Sequence, residues 1–109
     1  MVSPARRRIK RGDVYWVKLD PTIGLEIKKT RPTLVVSPDD MNRALPRVIA
    51  APLTSEGQPS GCRPEVMFKG RRARILLDQI RCLDRRQLMG RLGKIQSFFW
   101  HPVLMQMLG

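Results

Sequence analysis

The sequence predicts a fold that is mainly β with short helices: a small antiparallel barrel carrying one helix at its C-terminal end. Three observations support this. Six short runs favouring strand follow one another closely, breaks rich in Gly, Pro, Ser and Asp separate them, and no long amphipathic helix intervenes as βαβ units would require. With 109 residues, 42% hydrophobic and 28% charged, the chain suits one globular domain with a modest core.

Residues 1–11 (MVSPARRRIKR) form a basic N-terminal arm without hydrophobic periodicity, which leaves 12–109 as the single domain. The first strand is DVYWVKLD, stopped by Asp20-Pro21-Thr22; its Tyr15 and Trp16 read as core or dimer-seam residues rather than platforms for stacked bases. A loop with Lys28, Lys29 and Arg31 leads into TLVVS, a strand bounded by Pro32 and Pro38. Proline biases the residue before it toward extended geometry, so Arg31 falls at the mouth of that strand.

Ser37-Pro38-Asp39-Asp40 supplies an N-cap and an acidic first turn for a short helix through Asn42 and Arg43. RVIAAPLTS is a buried strand and EGQPSGCRP a loop. EVMF and ARILLDQI are two further strands joined by a KGRR turn, Leu83 to Arg86 open a helical turn, and GRLGKI returns as the sixth strand. A closing helix begins near His101 or Pro102, where proline is tolerated in the first turn. Val103, Leu104, Met105, Met107 and Leu108 make it apolar nearly all round, so it must be covered, and a homodimer is expected.

Lys and Arg total 21 against 9 Asp and Glu, a formal charge of +12. Without Arg6, Arg7, Arg8, Lys10 and Arg11 of the arm, the domain still carries +7. Such a field favours polyanions, because neutralising phosphates releases condensed counterions and steers encounter. A membrane fits poorly: there is no apolar run of about 18 residues and no secretory h-region after the basic N-terminus. The expected location is cytoplasmic. Cys62 and Cys82 have neither CxxC spacing nor a framework of pairs, and the single His101 gives no recognisable zinc spacing, so no metal and no cofactor are expected.

Elimination narrows the chemistry. A Ser-His-Asp arrangement needs a histidine in a cleft, whereas His101 sits between Trp100 and Pro102 in the apolar tail. No Gly-rich phosphate cradle of the GxxxxGKS or GxGxxG kind occurs. Phosphate chemistry performed by fixed positive charge is left. Arginine presents a planar fork of five donors that suits phosphate oxygens bidentately, and Arg31 can act by preorganised electrostatics where negative charge grows. RNA would bring its own nucleophile, the 2′-OH.

Four ordered blocks then carry a resemblance: RGDVYWVKLDPTIGLE (11–26), TRPTLVVSPDDMN (30–42), VIAAPLTS (48–55) and LLDQIRCLD (76–84). In this order and spacing, over residues 11 to about 96, the chain resembles the MazF/PemK toxin family. The resemblance implies an SH3-like barrel that dimerises and cuts single-stranded RNA at short sequences without metal, leaving 2′,3′-cyclic phosphate and 5′-hydroxyl ends. It also implies a cognate antitoxin whose acidic segment occupies the RNA site.

The resemblance places the family's RP arginine at Arg31, to stabilise the pentacoordinate phosphorus, and its strand-end hydroxyl at Thr54, to bond the scissile phosphate. Glu26, in a G-x-E position, orients the loop or assists proton transfer. Lys28, Lys29, Thr30, Ser55 and Gln79 are the expected RNA contacts. Relatives with a histidine before this glutamate and an arginine two residues before the DQ aspartate differ here, since those places hold Leu25 and Leu76; Asp78 thereby loses its partner as an acid-base pair. Two rival functions stay open on residues alone: a nucleic-acid-binding barrel without catalysis, and an interaction module for an acidic peptide.

Overall fold

The computed structural model describes residues 8–19, 30–57 and 60–109. Seven strands appear in it: β1 (Asp13–Lys18), β2 (Thr30–Val35), β3 (Arg47–Thr54), β4 (Glu65–Phe68), β5 (Arg71–Ile75), β6 (Arg81–Asp84) and β7 (Leu88–Lys94). Helix α1 (Asp39–Ala44) joins β2 to β3, and α2 (His101–Leu108) closes the chain. The strands form one antiparallel sheet in the order β4-β5-β3-β2-β1-β7, with β6 also paired to β3.

Strand β3 organises the curl. One edge pairs with β2, from Thr33↔Pro52 to Val35↔Ala50. The other is divided: residues 47–50 pair with β6, while Leu53 and Thr54 pair with β5. Pro52 sits between those two ladders, where it is asked for no N–H, and its carbonyl accepts the Leu76 N–H at 2.9 Å. The result is a curled antiparallel half-barrel, the SH3-like architecture expected from the sequence.

Alternation along the strands feeds two core clusters. Val14, Leu34, Ala51, Leu53, Ile75 and Leu77 meet Trp100 and Leu104 on the face that α2 covers. Tyr15, Val17, Val35, Val48, Ala50, Leu83 and Leu88 form the second cluster. Each large aliphatic side chain buried this way contributes about 1.5–3 kcal/mol. Gly93 lets β7 approach the β4–β5 hairpin: a Cβ there would stand 3.1 Å from the Phe68 ring.

Several expectations shift. The arm through residue 11 lies outside the described residues up to residue 7, but Ile9 is buried in the second cluster and Arg11 is docked. The Arg11 N–H donates to Asp39 Oδ1 at 2.7 Å, its Nε to the Val36 carbonyl at 3.0 Å, and its guanidinium lies 5.4 Å from the Trp100 ring centre. Residues 8–11 thus belong to the barrel. Strand β2 starts at Thr30 and runs through Pro32, because the β2–β3 ladder begins only at Thr33 and does not need the missing N–H.

The run ARILLDQI is not one strand: β5 ends at Ile75, and Leu77–Gln79 form a 3-10 turn that carries the chain from the end of β3 to its beginning. Strand β6 follows and takes in Leu83 and Asp84, where a helical turn was expected. Arg85–Gln87 then make a 3-10 turn, capped by Asp84 and Gln87. Ser37 does not cap α1; its hydroxyl donates to Asn42 Oδ1 at 2.5 Å and accepts the Ile49 N–H at 3.1 Å. Helix α2 starts at His101 as expected, but only Leu104 is buried, and Met105, Met107 and Leu108 stay exposed beside Phe98 and Phe99.

Candidate active site

The ends of β2 and β3 create one wall of a cleft of about 410 Å³. Continued two residues past Thr33↔Pro52, the β2–β3 register sets Arg31 beside Thr54. Thr30, Arg31, Pro32, Thr54 and Ser55 all line the cleft. On the other side of β2, Arg31 stands opposite Val17 and Pro32 opposite Trp16. The arginine is therefore fixed by strand pairing rather than by a loop.

Its bonding is unusual. The Nε of Arg31 is buried and has no hydrogen-bond partner among the described residues. Buried donors are nearly always paired, because an unmade bond costs about 1–3 kcal/mol. Arg31 itself lines the cleft, so its guanidinium borders the space an incoming acceptor would enter. Thr54 is poised in the same sense: its Oγ1 accepts the Glu56 N–H at 3.2 Å, which leaves the hydroxyl proton to donate.

The opposite wall comes from the β4–β5 hairpin, which places Phe68, Lys69, Arg71, Arg72 and Ala73 along the cleft. Its two turn residues, Lys69 and Gly70, both have positive φ (52° and 78°), as a type I′ turn requires. Arg71 and Arg72 thus belong to β5 and not to the turn, contrary to the KGRR reading. Arg31, Lys69, Arg71 and Arg72 supply the cleft's cations, and its described lining holds no carboxylate and no imidazole. Tyr15 is buried in the core, whereas Trp16 is 40% exposed, lies outside the core of the chain and forms part of the cleft.

Glu26, Lys28 and Lys29 lie outside the described residues. Gln79 is on the 3-10 turn after β5 and does not line the cleft. Its neighbour Asp78 does have a partner, from the loop after β3: Arg63 Nε and Nη2 donate to its two oxygens at 2.9 and 2.8 Å. Those bonds hold the Asp78 carboxyl below its usual range and push the Arg63 guanidinium up, against an opposing effect of burial. Similarly, bonds from Arg86 bring Asp84 down to about 2. His101 stands edge-on to Trp100 at the start of α2, and among the described residues no three His, Cys, Asp or Glu side chains converge as a metal site would need.

The sequence reading missed Trp16, Phe68, Lys69, Arg71 and Arg72 as cleft residues. The available signal was a basic cluster in a hairpin, but which wall it joins depends on the order of strands.

Fold and site together define a small antiparallel half-barrel with a cleft lined by cations. A profile described as "PemK-like, MazF-like toxin of type II toxin-antitoxin system" matches residues 10–106. The chain belongs to this MazF/PemK toxin family. It is 36% identical over 95 residues to Endoribonuclease EndoA of Bacillus subtilis (strain 168), covering 82% of each chain. Its structure is similar to MazF from Deinococcus radiodurans, with TM-score 0.78 and 26% identity over 93% of this chain and 96% of the other. A MazE-MazF structure from the same organism gives TM-score 0.75 at 26% identity, covering 94% and 96%.

Proposed function

We propose that this chain is the endoribonuclease toxin of a type II toxin–antitoxin pair, cutting single-stranded RNA at a short sequence and thereby stopping translation and growth. The observation that carries this reading is that Arg31 and Thr54 line one cleft whose described walls carry cations and no carboxylate. The endoribonuclease name of the B. subtilis relative supports an RNA substrate. The family and the MazE-MazF assembly support an antitoxin partner, whose acidic segment would compete for the same cations.

In this mechanism the 2′-oxygen of one nucleotide attacks its own 3′-phosphorus. The P–O5′ bond breaks, and the products are a 2′,3′-cyclic phosphate and a 5′-hydroxyl. Charge grows on the non-bridging oxygens, where the Arg31 guanidinium and the Thr54 hydroxyl donate. No metal takes part. A base is required for the 2′-OH and an acid for the 5′-oxygen; Glu26 is assigned to proton transfer because the described lining offers neither a carboxylate nor an imidazole. Thr30, Ser55, Lys28 and Lys29 gather the backbone, and Gln79 contacts RNA beyond the cleft.

The test is cleavage of a mixed-sequence single-stranded RNA in excess EDTA, with the product ends analysed. Discrete cuts bearing cyclic phosphates, abolished by a 2′-deoxy substitution at the cut, are expected. Salt-dependent binding without any cutting would replace this reading with a non-catalytic binding barrel. The exposed Phe98, Phe99, Met105 and Leu108 support a homodimer. Light scattering should give twice the 12.5 kDa chain mass at micromolar concentration, and the chain mass alone would contradict it.

A further inference from the structure

We propose that Glu65 is a positioning residue that couples the turn holding the Thr54 hydroxyl to the cationic wall of the cleft. The inference rests on the endoribonuclease reading and concerns a residue outside the cleft lining. Thr54, Arg74 and Glu65 form a row across β3, β5 and β4, by the pairs Thr54↔Arg74 and Glu65↔Arg74. Arg74 Nη1 donates to the Gly57 carbonyl at 3.1 Å, and Arg74 Nη2 to Glu65 Oε1 at 3.2 Å. The other oxygen of Glu65 lies 3.1 Å from Arg72 Nε, and Arg72 lines the cleft.

One carboxylate thereby joins two arms. Through Arg74 it reaches Gly57, next to the Glu56 whose N–H fixes the Thr54 oxygen. Through Arg72 it reaches the wall where an RNA backbone would lie. Arg74 is well sheltered, with 14% of its side chain exposed, so its fork is held by these bonds rather than by water. Arg72 and Arg74 project from the same face of β5, two residues apart, and without Glu65 the two guanidiniums would repel.

Loss of Glu65 should consequently move binding and chemistry in opposite directions. Glu65→Gln adds one net positive charge beside the cleft, which tightens RNA binding and steepens its salt dependence by about one in the log-log slope. It also frees the Gly57 turn and Arg72, and misplacement on this scale lowers turnover by about 10- to 100-fold. Arg74→Lys keeps the charge but loses the fork, so it should lower kcat without the gain in affinity.

The experiment is steady-state cleavage of one oligoribonucleotide by the wild-type dimer, Glu65→Gln and Arg74→Lys, with affinity for its uncleavable 2′-deoxy analogue at several salt concentrations. Thermal unfolding reports whether each variant is folded, and Glu65→Asp serves as a second variant with the charge retained. Lower kcat with lower KM in Glu65→Gln, lower kcat alone in Arg74→Lys, and partial recovery in Glu65→Asp are expected. Unchanged kcat in folded Glu65→Gln and Arg74→Lys, beside an active wild type, would overturn the positioning role. An inactive wild type would instead sink the endoribonuclease reading and this inference with it.

Discussion

Arg31 and Arg63 flank the same strand: Arg31 lies opposite the end of β3, and Arg63 ends the loop that leaves it. Arg63 is satisfied by a bidentate bond to Asp78, which fastens that loop to the 3-10 turn after β5. Arg31 is paired with Val17 of β1, and its Nε is buried and unpartnered among the described residues. The first arrangement stabilises a loop at little cost. The second leaves one arginine N–H without a partner among the described residues, in a side chain that lines a cleft with other cations and no carboxylate in its described lining. Charge alone does not distinguish these arginines; their bonding does.

The contrast is broken most severely by Arg31→Ala. Removing a preorganised donor from a transition state lowers kcat by about 10²–10³-fold. Affinity for uncleavable RNA should change far less, since Lys69, Arg71 and Arg72 persist. Equal losses in kcat and affinity, measured by single-turnover cleavage and titration, would reduce Arg31 to one more phosphate contact.

Thr54→Val comes next. It keeps the shape but deletes the hydroxyl, and a bond to a charged acceptor is worth about 1.5–3 kcal/mol, or about 10- to 150-fold in rate. Thr54→Ser should retain most activity. Unimpaired cleavage by Thr54→Val would mean that the hydroxyl serves only the Glu56 turn.

Trp16→Ala probes the apolar side of the cleft. If a base stacks on its exposed face, affinity drops by about 1–3 kcal/mol with kcat at saturating RNA largely preserved. An unchanged affinity would return Trp16 to a purely structural part.

The smallest effect belongs to the paired arginine. Asp78→Asn should destabilise the fold by less than about 1 kcal/mol at neutral pH, as exposed ion pairs do. The bonds from Arg63 lower the folded pKa of Asp78. The stability this adds is complete above the ordinary carboxylate value near about 3.9, and it fades as pH falls through the lower folded value. Urea midpoints of wild type and Asp78→Asn should therefore differ at pH 7 and converge in acid. A gap that widened in acid would contradict the pairing.

Much of this was legible in the sequence because it depends on local rules. β-Branched runs between Pro and Gly breaks place β1, β3 and β4, and Pro32 fixes Arg31 in extended backbone. The Arg31–Thr54 pair came from four ordered blocks rather than from either residue alone. The end of strand β6 was not legible: Leu83 and Asp84 read as the start of a helical turn, and they are strand because the first half of β3 needs an edge partner. Trp16 was not legible as a cleft residue because alternation gives its face but not the height at which the core ends. The Arg63–Asp78 pair spans 15 residues of chain, and the Glu65 network spans three strands, so both follow from topology.

The central claim concerns one N–H group. Arginine Nε–H signals can be followed by NMR while the protein is titrated with a 2′-deoxy-substituted RNA, the Arg31 signal being assigned by its absence in Arg31→Lys. The account predicts that the Arg31 Nε–H signal shifts on binding, while that of Arg63 stays where it is. An Arg31 signal that is unmoved at saturation would contradict it.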